Sequence, residues 1–382
     1  MDALRESFVD GSFINYVGNY NGYRMKLFKD LKNEYGDKLK MYTSIADMPT
    51  ITNQRIKAIS TGTLPSTFEM GGNMGSSEEV LEDSVIHQAR AHNLTIRMYG
   101  DDFWIGHYPD TFDDYEVFPS LDITDLDSND RIVRTRLLDQ LENHTDWDIL
   151  WTHVLGIDHA GHSFNNLGPE LEKKLKDVED LLSDVVDKLP FNATLAILSD
   201  HGLTPIGNHG GPSPDERYTF ISFFQKDLVF QQEPMAGGLN PTVSQSSICS
   251  TLSALAQVNF PYSNIGSWIP EVISFKEGTS QIEKSKEQLR MFTQNQIQVY
   301  NYLKDYLKHS SLMEDHAREG VEQVIKNTTD QLAFLDDYLA HNSEVYSGSS
   351  ANSAQFAIFT NEYLHNGTIT INGLKVFLLP EM

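Results

Sequence analysis

The chain has one cysteine, Cys249, in 382 residues. That excludes an intrachain disulfide and a thiolate zinc site, so any metal site must be built from Asp, Glu and His. Basic residues are scarce as well: 29 Lys+Arg stand against 54 Asp+Glu, a formal charge of −25. Nucleic acid is thereby excluded as the main partner, because phosphate backbones are bound by clustered Lys and Arg. Long apolar runs are missing too. Asp148–Leu155 and Val376–Pro380 are strand-sized, far short of the roughly 18 residues of a membrane span. The opening Met1-Asp2-Ala3-Leu4-Arg5 has no apolar lead-in of the signal-peptide kind. Yet Asn93, Asn143, Asn192, Asn327 and Asn366 each begin a glycosylation sequon, which favours a secretory-pathway lumen. A luminal protein with such a start is expected to lack its natural N-terminus.

What is present suffices for a large core: 40% of residues are hydrophobic and 10% aromatic. Short apolar runs alternate with helical patterns over the first ~270 residues, an α/β signature. Strands are expected at Thr95–Tyr99, Asp148–Leu155, Thr194–Leu198 and Tyr218–Phe224, apolar on both faces as in a mainly parallel sheet flanked by helices. Pro169–Leu189 reads as a helix. Proline suits its first turn, and Leu171, Leu175, Val178, Leu182 and Val185 share one face, with Lys173, Lys174, Asp177 and Asp184 mostly on the other. With its flanking strands it is expected to form a right-handed βαβ unit. After about Lys276 the texture turns polar, and Glu283–Lys308 and Glu314–His341 read as an antiparallel helical hairpin. The expected division is a catalytic α/β domain over 1–275, the hairpin over 276–344, and a linker and tail over 345–382.

Three segments set Asp and His beside glycine. They are Gly156-Ile157-Asp158-His159-Ala160-Gly161-His162, Ser199-Asp200-His201-Gly202 and Asn208-His209-Gly210-Gly211. The first two follow predicted strands, where an open α/β sheet gathers its ligands. Asp158 and His162, four apart, can aim at one ion from a helical turn or a tight loop; adjacent Asp200 and His201 can do so only from a loop. Singly, each pair reads best as a cap or a hydrogen-bonded loop; together they point to a metal centre. A fourth segment, Asp47-Met48-Pro49-Thr50-Ile51-Thr52-Asn53-Gln54-Arg55, leads into a helical run ending at Ser60-Thr61-Gly62. A threonine there is either a plain helix cap or, beside a metal, a nucleophile toward phosphorus, with free N–H groups ready for the phosphate. The acidic stretch from Asp110 to Asp130 lacks the ligand order of a calcium loop and reads as solvated Asx turns.

In combination these segments resemble the alkaline phosphatase superfamily. Residues 46–58, Tyr99-Gly100-Asp101-Asp102-Phe103-Trp104, Gly156–His162 and Asp200–Gly211 resemble more closely the GPI ethanolamine phosphate transferases. Asp125-Leu126-Asp127 and Ser263-Asn264-Ile265-Gly266 resemble the type that modifies the third mannose. The resemblance covers roughly residues 1–270. It implies an alkaline phosphatase-like fold and two divalent ions, most simply zinc. Asp158, His162 and His209 would hold one, and Asp2, Thr52, Asp200 and His201 the other. It selects Thr52 over Thr50 as nucleophile, because the superfamily nucleophile lies at that distance before its Thr-Gly. Asn53, Arg55 and His159 would be substrate-binding or supporting groups. The implied reaction moves phosphoethanolamine from phosphatidylethanolamine to a mannose, the third, of the GPI glycolipid precursor, through a Thr52-bound intermediate. The alternatives are a hydrolase of the same superfamily and a catalytically weak luminal interaction domain. Family members are endoplasmic-reticulum membrane proteins with a luminal catalytic domain and, by resemblance, a small membrane partner subunit. The apolar strand that precedes Asp2 in the family, and the family's membrane spans, are not found in this sequence.

Overall fold

The computed structural model describes residues 1–10, 20–64, 78–165, 167–230, 241–276, 278–309, 315–341, 359–360, 363–366, 368 and 370–371. Its first elements are α1 (Leu27–Tyr35), β1 (Leu39–Ile45), α2 (Thr52–Thr61), α3 (Val85–Ala91), β2 (Ile96–Asp101), α4 (Asp102–His107) and β3 (Asp114–Phe118). There follow α5 (Ser128–Asn143), β4 (Ile149–Thr152), α6 (Gly156–Phe164), α7 (Pro169–Lys188), β5 (Thr194–Ile197), α8 (Pro214–Arg217) and β6 (Tyr218–Gln225). The last are β7 (Val229–Phe230), β8 (Thr242–Ser244), α9 (Ser246–Ala256), β9 (Ser274–Phe275), α10 (Gln281–His309) and α11 (Asp315–His341).

The strands form an order β3-β2-β4 and an order β5-β6-β1-β8, with a small β7-β9 pair apart. Pairing is parallel throughout β3-β2-β4 and between β1 and β8. The antiparallel member is β6, against both β1 and β5. It is reached from β5 through a loop that carries candidate ligands and the single turn of α8, with no helical crossover to turn the chain parallel. The expected β4–helix–β5 unit is wider than a simple βαβ. Both α6 and α7 lie in the connection, and the two strands are not paired with each other.

Between them lies a cavity of 620 Å³ lined along the length of both strands, from Trp147 and Asn192 to Met1 and Asp200. Its walls are apolar on both faces of the sheet, with Leu137, Leu181 and Val185 among them and Ile56, Ile59 and Leu252 as well. Met1 and Asp2 bridge the strands' C-terminal ends. The Met1 nitrogen donates to Leu198 O at 3.0 Å, and Asp2 N to Val154 O at 2.8 Å.

Helix α7 buries the predicted stripe, Leu171 to Val185, in the largest apolar cluster, together with Phe28, Phe220 and Phe224. Lys174 departs from its expected outer position. It is 2% exposed, with Nζ 2.5 Å from Asp127 Oδ1 and 3.5 Å from Asp130 Oδ2. A buried ammonium is tolerable only with such partners.

The two helices of the hairpin lie within a residue or two of expectation. Phe292, Val299 and Leu303 of α10 and Val321, Val324 and Leu335 of α11 pack with Ala254, Ile265 and Trp268 of the α/β body, so the two parts share a core. Most of the tail, 342–358 and 372–382 included, lies outside the described residues. Within it, Phe359 stacks on Tyr338 and Tyr363 donates to Gln296 of α10.

Candidate metal centre

Each candidate ligand is placed by a local device. Helix α6 begins at Gly156 because Asp130 Oδ1 accepts the N–H groups of Leu155 and Gly156 at 3.0 and 3.1 Å, capping its start. Lys174 braces that same Asp130. The helical turn then sets Asp158 Oδ2 and His162 Nε2 3.5 Å apart. Of the two geometries that the spacing allows, the helix is the one used.

Asp200 and His201 sit in the loop after β5, as their adjacency requires. Ala3 N donates to Asp200 Oδ1 at 3.0 Å and Leu4 N to Ser199 Oγ at 2.9 Å, which lays the first residues along this loop. The buried Arg5 fixes them there, donating to Leu203 O at 2.9 Å and pairing with Asp215. Ala3 adopts a left-handed backbone (φ 59°), a strained conformation for a residue with a side chain. These contacts aim Asp2 Oδ1 at His201 Nε2, 3.3 Å away, with Asp200 Oδ2 at the same distance.

His209 arrives on the loop that follows. Gly207 lets that loop press on α6: its φ is +79°, and a Cβ there would stand 2.2 Å from Gly161 O. His209 Nε2 lies 3.4 Å from Asp158 Oδ1, and its ring stacks on His201 with centroids 3.9 Å apart.

The two threonines separate cleanly. Thr50 is occupied with the His209 loop: its hydroxyl donates to Gly211 O and accepts from Gly210 N, both at 2.9 Å, and its carbonyl faces His209 Nδ1 at 2.7 Å. Thr52 opens α2 with its Oγ1 3.1 Å from His201 Nε2. The first ladder bond of α2 runs from Arg55 N to Ile51 O, which leaves the N–H groups of Thr52, Asn53 and Gln54 outside the ladder.

Ligand-type atoms therefore converge in three groups: Asp158, His162 and His209; Asp2, Asp158 and His201; and Asp2, His153 and Asp200. These residues fit divalent cations. Asp2 Oδ1, Asp158 Oδ1 and Asp200 Oδ2 are buried without a hydrogen-bond partner. His201 and His209 turn Nδ1 to the carbonyls of Gly202 and Thr50, which points the Nε2 lone pairs at the carboxylates. Burial pushes both His162 and His209 down to about 4, and lowers His201, so the imidazoles are neutral as ligands must be. Burial, followed by the charge of Asp200, pushes the Asp2 and Asp158 carboxyls well above their usual range. Burial raises Asp200 too, but facing His201 and His153, the Met1 ammonium and the Ala3 N–H outweigh it and hold it low. A buried acidic cluster of this kind is stabilised by protons or by cations.

The remaining sequence candidates stand around these groups. Arg55 is fully buried and donates to Gln245, whose amide in turn donates to Asp200 O and Ser199 O. His159 faces Asp125 O and Ser120 O with its two ring nitrogens, behind α6. Asn53 keeps a buried Oδ1 without a partner at the start of α2. His153, with Asp101 behind it, was missed. It sits inside an apolar run that reads as strand, and its one signal is a histidine where such a strand leaves the sheet.

The acidic stretch forms turns and ion pairs of its own. Asp125 Oδ1 accepts the N–H groups of Asp127 and Ser128 as an Asx turn, Asp113 pairs with Arg90, and Glu116 pairs with Arg136.

A family model for type I phosphodiesterase / nucleotide pyrophosphatase matches residues 85–219, the span of Asp158, His162, Asp200, His201 and His209. That match fits the alkaline phosphatase-like fold, with its α/β sheet and the site at its strand ends. The human GPI ethanolamine phosphate transferase 3 catalytic subunit is 32% identical over 267 residues, 70% of this chain and 24% of that one. The type 3 transferase of Saccharomyces cerevisiae is 30% identical over 308 residues, 76% of this chain and 30% of that one. The human type 2 catalytic subunit is 31% identical over 312 residues, 80% and 30%. Over most of its length the chain is similar to the GPI ethanolamine phosphate transferases. It spans about a quarter to a third of the length of these curated relatives.

Two solved structures also align. One is the lipoteichoic acid synthase LtaP of Listeria monocytogenes, with 11% identity, TM-score 0.42, and 68% of this chain and 71% of that one covered. The other is human ectonucleotide pyrophosphatase / phosphodiesterase 5, with 11% identity, TM-score 0.43, and 68% and 93% covered.

Proposed function

We propose that this chain is the catalytic part of a phosphoethanolamine transferase that takes phosphatidylethanolamine as donor and a mannose of the GPI precursor as acceptor. The observation that carries this reading is Thr52 Oγ1 at 3.1 Å from His201 Nε2, at the head of a helix with free N–H groups and beside three unpartnered buried carboxylate oxygens. Asp158, His162 and His209 would hold one divalent ion, and Asp2, Thr52, Asp200 and His201 a second, zinc being the natural choice for this N/O donor set. When bound, such ions supply positive charge to the nucleophile and to the phosphoryl oxygens.

The chain's own groups do the rest. Thr52 Oγ1 attacks the donor phosphorus, the bond to the diacylglycerol oxygen breaks, and the threonine proton leaves with that alcohol. The N–H groups of Asn53 and Gln54, with the positive end of α2, meet the phosphoryl oxygens. The 6-hydroxyl of the mannose then attacks the phosphoethanolamine–Thr52 ester, and its proton returns to Thr52. The third mannose is the favoured acceptor, since Asp125-Leu126-Asp127 and Ser263-Asn264-Ile265-Gly266 resemble that type. The catalytic face lies in the endoplasmic-reticulum lumen. No helix among the described residues is long and apolar enough to cross a membrane; the lipid donor is met at a membrane surface. The human relatives are named catalytic subunits, which suggests a partner subunit here.

The matched phosphodiesterase family favours one second reading, in which water replaces the mannose as final acceptor. Incubation with phosphatidylethanolamine vesicles and a mannoside separates the two: a phosphoethanolamine–mannoside supports transfer, and free phosphoethanolamine alone supports hydrolysis. Thr52→Ala is expected to abolish both products and the modified Thr52 peptide seen by mass spectrometry, with an unchanged melting temperature. Full activity in that variant would sink the nucleophile assignment.

A further inference from the structure

His153 is 4% exposed and ends the apolar run of β4, its backbone N–H donating to Tyr99 O at 3.0 Å. Its Nδ1 lies 3.2 Å from Asp101 Oδ1. Asp101 is fully buried, and its second oxygen accepts from Ser120 Oγ at 3.0 Å, so this carboxylate is fixed from both sides. A buried carboxylate facing Nδ1 takes that nitrogen's hydrogen, and the ring's lone pair is then on Nε2. The ring also meets Trp104 edge to face, with centroids 6.2 Å apart, and its remaining polar neighbours are acidic. A ring nitrogen of His153 and one oxygen each of Asp2 and Asp200 lie within 4.8 Å of one another. Asp2 Oδ1 and Asp200 Oδ2 are buried without a hydrogen-bond partner, in residues only 3% exposed. Asp101, His153 and the Asp2–Asp200 pair thus form a carboxylate–imidazole–ligand string, the arrangement in which an outer acid sets the tautomer and orientation of a metal-binding histidine.

We infer that His153 is a further metal ligand, through Nε2, at the Asp2–Asp200 end of the centre, with Asp101 as its orienting partner. The inference rests on the two-cation reading above and adds a residue to it. Asp2 belongs both to this group and to the one with Asp158 and His201, so His153 approaches a carboxylate already shared between the two halves of the centre. The chain supplies this ligand from the end of a strand, whereas His162 comes from a helix and His201 and His209 from loops. That makes it the ligand whose position depends most directly on the sheet.

The test uses the metal alone. The purified chain is stripped, titrated with Zn²⁺ and with Co²⁺, and compared with His153→Ala and Asp101→Asn. In His153→Ala the weaker of the bound ions is expected to lose at least about 100-fold in affinity, and the visible Co²⁺ bands from that ion to change in intensity. Asp101→Asn is expected to lose about 10- to 100-fold, as outer partners of ligands do, while keeping the band pattern. Circular dichroism and melting of the stripped proteins identify any variant that fails to fold, and Asp101→Asn keeps the question open to measurement if His153→Ala is such a variant. Unchanged stoichiometry, affinity and Co²⁺ bands in a folded His153→Ala would overturn the inference and leave the two-cation reading standing. Absence of stoichiometric metal from the unmodified chain would overturn both.

Discussion

The C-terminal ends of β4 and β5 and the bodies of the same two strands differ sharply. At the ends, carboxylates and imidazoles from a helix, two loops and the first residues of the chain meet within hydrogen-bonding distances. Along the strand bodies, the edges face each other across a cavity of 620 Å³ with a mostly apolar lining. The contacts that order the site include anchors outside the ladder: Asp130 at the start of α6, Arg5 on Leu203 and Asp215, Thr50 on the His209 loop, and Gln245 under Asp200.

If that contrast is right, damage to an anchor-held ligand should be severe and repair of the cavity should act on stability. The largest effect is expected at Asp158, which belongs to two of the three ligand groups. Asp158→Asn keeps the shape and removes the charge. Transfer is expected to fall by about 1,000-fold or more, as for loss of a principal electrostatic group in a reacting centre, and Zn²⁺ stoichiometry to drop. A variant that kept both would show that the carboxylate is not shared in this way.

The cavity offers the next test. Val154 O and Leu198 O accept from Asp2 and Met1, and strand alternation turns the peptide groups of Thr152 and Ala196 to the same side. Five apolar residues fused ahead of Met1 would lie parallel to both strands, spanning about 3.3 Å each. Burial of such side chains brings about 1.5–3 kcal/mol each, offset by about 1–2 kcal/mol per residue of ordering. A net gain of a few kcal/mol raises the melting temperature by several degrees in a chain of this size. The amides of Thr152 and Ala196 should exchange more slowly, and a Lys/Glu-rich extension should do neither. Equal melting for the two extensions would mean that the cavity is not a strand slot.

How much of this was legible beforehand follows the same division. Asp158 with His162, and Asp200 with His201, could be read because their spacing admits few geometries. Thr52 and Asp2 needed the family resemblance: a threonine at a helix start is an ordinary cap by itself, and Asp2 reaches the centre only through contacts some 200 residues away in sequence. β1 went unnoticed because its run Leu39–Ile45 mixes polar and apolar residues. Thr43 and Ser44 are nonetheless fully buried, and the Thr43 hydroxyl bonds Glu6. Lys174 read as surface because nothing local shows that Asp127 and Asp130 fold over it. The cavity is invisible in sequence, since pairing partners are set by the fold and not by the strands themselves.

The smallest expected effect concerns protons and asks whether the centre is poised for cations. Asp2 and Asp158 are pushed above the carboxylate range by burial and by Asp200, so in the metal-free chain they retain protons at pH values where an exposed aspartate has none. For folding, the sign is unfavourable. A carboxyl with a raised folded pKa adds stability at low pH and withdraws it as pH rises through that value. His162 and His209 act oppositely. With folded values near 4 against an ordinary 6.5, their neutral forms add stability above about 6.5, which is lost as pH falls toward 4. Cation binding requires every one of these groups deprotonated, so it should expel whatever protons Asp2 and Asp158 still carry. Zn²⁺ titrations by calorimetry, in two buffers of different ionisation enthalpy, should therefore report net proton release that grows as the pH is lowered from 7. Affinity should fall as the pH is lowered through 6 toward 4. Net proton uptake, or an affinity independent of pH over that window, would show that these carboxylates do not hold the ion, and the distinction between an ordered site and a loosely filled sheet beside it would lose its physical basis.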